Sequence, residues 1–108
     1  MDATIQAKIK KTVEGSPVVL FVKGTKEAPM CGFSAQTIEI FRRLGAPFEC
    51  VDVLGNPEYR EEVKEFTSWP TIPQVFVGGE FIGGCDVATE LFRSGDLQKK
   101  VEAALAKA

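Results

Sequence analysis

Three cysteines and no histidine bound the chemistry open to this chain. Without imidazole there is no His general base, no Ser-His triad and no His-ligated metal. Cys31, Cys50 and Cys85 are odd in number, which is not the paired framework of a small secreted domain. They suggest a reducing compartment with at least one thiol kept free. Cys31 is the best placed of them, because it stands where a polar loop over residues 23–30 meets a run with helical spacing. The open N–H groups and dipole of a helix N-terminus favour an anion and so raise the thiolate fraction. The thiolate is both the nucleophile and the metal ligand. Lys23 and Lys26, just upstream, are expected to add positive potential at the same end. Pro29 stiffens the approach and Gly32 puts no side chain over the sulfur, which argues against a packed core cysteine. Cys50, in a β-rich run, reads as such a packed residue.

The motif Cys31-Gly32-Phe33-Ser34 ends in serine and cannot resolve its own mixed disulfide, so an external thiol or Cys85 must take that part. Two further segments bear on the site. In Trp69-Pro70-Thr71-Ile72-Pro73, Pro73 at a strand entrance is a place for a cis X-Pro bond. Such a bond would turn backbone groups of Ile72 towards an open site, where they can pair with an extended thiol peptide. Gly83-Gly84-Cys85-Asp86 offers free N–H groups and a carboxylate at a helix start. That combination can hold a zwitterionic amino-acid end, although taken alone it reads as an N-cap aspartate.

The elements that must position these residues are legible from periodicity. Ile5, Ile9 and Val13 mark a helix over about 3–14, closed by Gly15. Residues 18–22 are continuously apolar and β-branched, as in a strand buried on both faces. Ile38, Phe41 and Leu44 mark a helix over about 32–44 with Gly45 as its stop. Residues 47–53 form a second strand candidate. Asn56 as side-chain cap and Pro57 open a helix that extends to about Phe66. Gln74–Val77 and Glu80–Gly83 flank Gly78-Gly79, the signature of a two-residue hairpin. Helices over about 86–93 and 97–106 follow, with Gly95 as stop and Asp96 as cap. The order α-β-α-β-α-β-β-α-α predicts an α/β, thioredoxin-like fold over residues 1–108: a mixed four-stranded sheet with about five helices on its two faces. Two βα crossovers imply parallel strands, and the hairpin adds antiparallel ones.

The net charge of −2 gives no electrostatic basis for a general nucleic-acid or membrane-surface role. No apolar run approaches the roughly 18 residues of a membrane span. The N-terminal residues show neither a secretory apolar region nor an Arg/Ser-rich transit segment.

Together, Lys23-Gly24-Thr25, Pro29-x-Cys31-Gly32-Phe33-Ser34, Arg60, Trp69-Pro70-Thr71-Ile72-Pro73-Gln74 and Gly83-Gly84-Cys85-Asp86 resemble the monothiol glutaredoxins of the Cys-Gly-Phe-Ser class. The likeness runs in one order over nearly the whole chain and is closest to single-domain members of bacteria, mitochondria and plastids. The resemblance implies that Cys31 is the active thiol and the protein ligand of an iron–sulfur cluster. It implies that Lys23 and Arg60 bind the glycine carboxylate of glutathione, that Ile72 pairs with the tripeptide's cysteine, and that Cys85 and Asp86 hold its γ-glutamyl end. Arg60 is followed here by Glu61 and Glu62 where the family commonly has Gln-Gly, and that acid is expected to weaken the arginine's field. Ser68 replaces the usual Asn before Trp69.

Since a 2Fe–2S cluster takes four thiolates and this chain has one well-placed cysteine, two protomers and two glutathiones would complete the set. The expected function is an iron–sulfur carrier, a homodimer with cluster and a monomer without. BolA-like proteins and apo iron–sulfur acceptors would be its partners, with a plastid stroma, mitochondrial matrix or bacterial cytoplasm as its compartment. The alternative is a glutathione-dependent oxidoreductase that removes glutathione from protein thiols through Cys31, with Cys85 as candidate resolving thiol.

Overall fold

The computed structural model describes residues 2–108. Its elements are α1 (Ala3–Glu14), β1 (Val18–Val22), α2 (Gly32–Leu44), β2 (Glu49–Asp52), α3 (Pro57–Thr67), β3 (Gln74–Val77), β4 (Glu80–Gly83), α4 (Cys85–Ser94) and α5 (Asp96–Lys107). Every residue of β1 is buried, because successive side chains enter two different cores. Val18, Leu20 and Val22 pack with Ile38 and Phe41 of α2, Ala88 of α4, and Leu97 and Val101 of α5. Val19 and Phe21 pack on the other face with Ile9 and Val13 of α1 and Val63 of α3. This double burial is the physical reason for the unbroken apolar run.

The strand order is β2-β1-β3-β4. β1 is parallel to β2 and antiparallel to β3, and β3 is antiparallel to β4. This is the thioredoxin-like α/β fold that the element order predicts, with five helices. The second expected crossover is corrected: α3 brings the chain back as β3 on the far side of β1, antiparallel to it, so only β1-α2-β2 is a parallel unit. Gly78 and Gly79 turn the hairpin at φ 63° and 78°, the positive values that a two-residue turn requires.

Boundaries differ where capping is decided by contacts rather than residue type. β2 is shorter than residues 47–53, since Pro47 has no N–H for the ladder. Gly95 both ends α4 and caps α5, so Asp96 is the first residue of α5 and not its cap. Its carboxylate instead accepts from Ser94 Oγ at 3.0 Å. Asn56 occupies the N-cap of α3 without a side-chain cap bond. Its Nδ2 reaches back to the Asp52 carbonyl at 3.0 Å.

The segment between α3 and β3 is held from below by Gln74, a wholly buried amide. Its Oε1 accepts from the Thr67 hydroxyl at 2.9 Å, and its Nε2 donates to the carbonyls of Trp69 at 3.0 Å and Thr71 at 3.1 Å. Leucine would fill similar space but leave these groups unpaired, and a buried unsatisfied polar group costs about 1–3 kcal/mol. Gln74→Leu should therefore lower stability by about 2 kcal/mol. Urea unfolding should show this as a reduced midpoint at unchanged slope, whereas an unshifted midpoint would contradict the structural role.

Candidate functional site

Cys31 is itself the N-cap residue of α2, in extended backbone at φ −153° and ψ 135°. The Ser34 backbone N–H is the largest influence on the thiol. With the Phe33 N–H, the Ser34 hydroxyl and the Lys23 charge, it outweighs partial burial and holds the pKa below the ordinary 9.0. No side-chain cap bond forms with the neutral thiol. A thiol sulfur is a weak acceptor and a thiolate a strong one, so these amides act on the ionised form. Lys26 takes no part, contrary to the sequence expectation. Its ammonium lies 4.2 Å from the centre of the Phe48 ring and donates to the Phe48 carbonyl, beside Cys50 instead.

Cys50 matches its expectation as a packed residue: it lies against the core of the α2 face, and burial pushes its thiol up to about 11. Ser34, where a dithiol motif has its second cysteine, is buried. Its Oγ accepts the Lys23 N–H at 3.1 Å, tying the thiol helix to the end of β1. The loop between them folds on itself, with Met30 N–H donating to the Lys23 carbonyl at 2.8 Å. Gly24, at φ 93°, has to be glycine: a Cβ there would lie 2.6 Å from both the Ala28 carbonyl oxygen and the Met30 nitrogen.

A groove runs past this loop as two cavities that share Thr71 and Ile72. One, of about 230 Å³, is lined by Lys23, Arg60, Lys64, Pro70, Thr71 and Ile72. The other, of about 240 Å³, continues between Phe33 and Trp69 to Gly84, Cys85 and Asp86. Lys23 and Arg60 thus stand at one end, Ile72 in the middle, and Cys85 and Asp86 at the other. Five residues scattered over the sequence converge on one groove, which Phe33, two residues after Cys31, also lines. The Ile72-Pro73 bond is cis, as the sequence suggests.

The N-cap reading of Asp86 is corrected: Gly84 caps α4, and Asp86 lies exposed in its first turn with its carboxylate uncommitted to the cap. Gly84 also admits the close approach of Pro73 and Trp69, since a Cβ there would meet the Pro73 carbonyl at 3.1 Å. Cys85 is buried in the groove wall, with its Sγ 4.0 Å from the Thr89 hydroxyl. Among the described residues, no group of three or more Cys, Asp or Glu comes together as a metal site.

Three contributors escape the sequence reading. Lys64 joins Arg60 at the cationic end. Its spacing of four on one helix could have shown this, since such residues share a face. Lys64 Nζ pairs with Glu61 at 3.2 Å, so the extra acid loads Lys64. Glu62 turns away to the backbone N–H of Asp2, and its carbonyl accepts from Gln6. Gln74 and Asp52 act on loop backbone, and local spacing carries no signal of that.

The Glutaredoxin family model matches residues 18–82, and the chain belongs to the glutaredoxin family. It is similar to monothiol glutaredoxins in particular. It is 50% identical to the probable monothiol glutaredoxin 2 of Rickettsia felis, over 87% of this chain and 90% of that one. It is also 50% identical to the mitochondrial monothiol glutaredoxin-5 of Saccharomyces cerevisiae, over 98% of this chain and 73% of that one. Its fold matches the solution structure of reduced poplar apo GrxS14 with a TM-score of 0.83, at 47% identity over 94% of each chain. The buckwheat glutaredoxin–glutathione complex matches with a TM-score of 0.83, at 27% identity over 94% of this chain and 90% of that one.

The two thiols shifted in opposite directions give a direct check. Iodoacetamide should modify Cys31 with a pH midpoint below 9.0, and Cys50 only as the pH approaches 11. The stability linked to Cys31 should appear above its depressed folded pKa and be lost as pH falls through it. That linked to Cys50 should be lost as pH rises from about 9 towards 11. Peptide mapping that finds Cys50 alkylated first would overturn the assignment of Cys31 as the reactive thiol.

Proposed function

We propose that this protein is a glutaredoxin of the Cys-Gly-Phe-Ser class that binds glutathione in the groove. Two copies would hold a 2Fe–2S cluster between them and pass it on. The observation that carries this reading is the polarity of the groove: cations at one end, a carboxylate at the other, and the backbone of Ile72 between. An extended peptide with its carboxylate on Lys23 and Arg60 and a terminal ammonium on Asp86 fits that polarity. Its central thiol would then lie beside Cys31. Glutathione has this chemistry, and the similar buckwheat glutaredoxin is described in complex with it.

The donor set sets the stoichiometry of the cluster. Cys50 is half-buried against the core with its thiol pushed up to about 11 and Cys85 is buried, which leaves Cys31 as the partly open thiol with a depressed pKa among the described residues. One protein thiolate per chain fits a four-thiolate cluster only when a second chain and two glutathione thiols complete it. Met30, which is 72% exposed, and Phe33, which is 61% exposed, flank Cys31 in the sequence and offer apolar surface to the face that two copies would share. Half of the ligands would then be exchangeable small molecules, which suits delivery to BolA-like partners and apo acceptors in a reducing organelle or bacterial cytoplasm.

Deglutathionylation is the second reading, favoured by the depressed Cys31 pKa. The Cys31 thiolate would attack the glutathione sulfur of a mixed disulfide and release the protein thiolate. A second glutathione thiolate would then displace Cys31, leaving oxidised glutathione. Burial of Cys85 makes the external thiol the better resolver.

Anaerobic reconstitution with ferrous iron, sulfide and glutathione should give a coloured species of twice the monomer mass on size exclusion. Cys31→Ser should abolish it, and a colourless monomer from the unmodified protein would refute the carrier role. Glu61→Gln should free Lys64 from its exposed ion pair and tighten glutathione binding about two- to five-fold at low salt, with the gain vanishing at high salt. Isothermal titration of the two proteins measures this directly.

A further inference from the structure

The two arms of the cationic end come from different parts of the chain: Lys23 from the loop after β1, and Arg60 and Lys64 from α3. They meet through one residue. Asp52, the last residue of β2, accepts the Gly24 N–H at 2.9 Å and the Leu54 N–H at 2.8 Å on the same Oδ1. The Gly55 N–H also faces this carboxylate, and the Asp52 carbonyl accepts the Asn56 backbone N–H at 3.0 Å and the Asn56 side chain at 3.0 Å. Asn56 is the cap position of α3, so Asp52 holds the entrance of that helix with its backbone carbonyl and the residue after Lys23 with its carboxylate, which also takes the Leu54 and Gly55 amides leading into the helix. Lys23 is then fixed on every side, with its N–H on Ser34, its carbonyl under Met30, and the next amide on Asp52. Burial alone would raise the carboxyl pKa, but the Leu54, Gly24 and Gly55 amides outweigh it and keep the group ionised.

We infer that Asp52 is a positioning residue that sets the spacing of Lys23 against Arg60 and Lys64, and hence the preference of the groove for a ligand that ends in a carboxylate. The inference rests on the glutathione reading above. Asp52 does not line the groove, so it acts on the ligand only through the backbone it holds. Each bond to the carboxylate is charge-assisted and about twice as strong as a neutral one. Removing the side chain therefore releases the Gly24 amide after Lys23 from the Leu54 and Gly55 amides that lead into α3, while the backbone bonds to Asn56 and every cation remain.

The test compares glutathione with its glycine-amide analogue, which lacks the terminal carboxylate, by NMR titration of the apo protein. The unmodified chain should prefer glutathione by about ten-fold, the scale of a bidentate or multi-cation carboxylate contact. D52A should reduce that preference to about three-fold or less while affinity for the amide stays within about two-fold. D52N keeps the Oδ1 acceptor and should retain at least half of the preference. D52S, too short to reach both amides, replaces D52A in the comparison should that variant not fold. Loss of affinity for both ligands in equal measure, or full preference retained in the truncated variant, would overturn the positioning role. Absence of any preference in the unmodified protein would instead refute the glutathione orientation itself.

Discussion

The amides of Phe33 and Ser34 at the open end of α2 hold the Cys31 sulfur towards its anionic form, and most of the structure serves to keep that end both open and in place. A helix end left free is a charged socket that water would otherwise fill. It remains a defined site only if the helix cannot tilt or slide. Ile38 and Phe41 anchor α2 in the core of one sheet face, and the Ser34 hydroxyl ties its first turn to the end of β1. The serine that removes a second thiol from the motif thus becomes a structural acceptor. The cost to chemistry is self-resolution, and the gain is a helix end locked to the strand that delivers Lys23.

Around this end the site is assembled by side chains that bind backbone, the buried Gln74 and the half-buried Asp52. Gln74 grips the carbonyls of Trp69 and Thr71, and Asp52 grips the amides of Gly24 and Leu54. Neither lines the groove, yet each holds a loop that does. Loops have no ladder of their own to satisfy their polar groups, so an amide or carboxylate reaching from a strand end does it for them. The groove walls consequently rest on the sheet even though the groove is made almost entirely of loop and helix-terminal residues. Trp69 adds an apolar brace, meeting Phe81 edge to face at 5.6 Å between ring centres.

The electrostatics of the groove follow from which charges are already engaged. Glu61 occupies Lys64, while Glu62 is diverted to the backbone N–H of Asp2. Lys26 is spent on Phe48. What remains directed at the groove is Lys23 and Arg60 at one end and Asp86 at the other, a field with a sense along its length. Formal charge counted along the sequence would have weighted all of these residues alike.

Much of this was legible in the sequence. Period and cap residues located all nine elements to within a few residues, because a buried strand and amphipathic helices leave their pattern in the order of apolar residues. Cys31 at a helix start, the cis proline and the Gly78-Gly79 turn were readable for the same reason: each is a local requirement of backbone geometry. The tertiary structure alone decided the antiparallel return of β3, the diversion of Lys26 and Glu62, the release of Asp86 from capping, and the roles of Asp52 and Gln74. These depend on which groups meet across the fold, between residues 28 positions apart in the case of Asp52 and Gly24. A chain's own periodicity records the face a residue presents but not the partner it finds there.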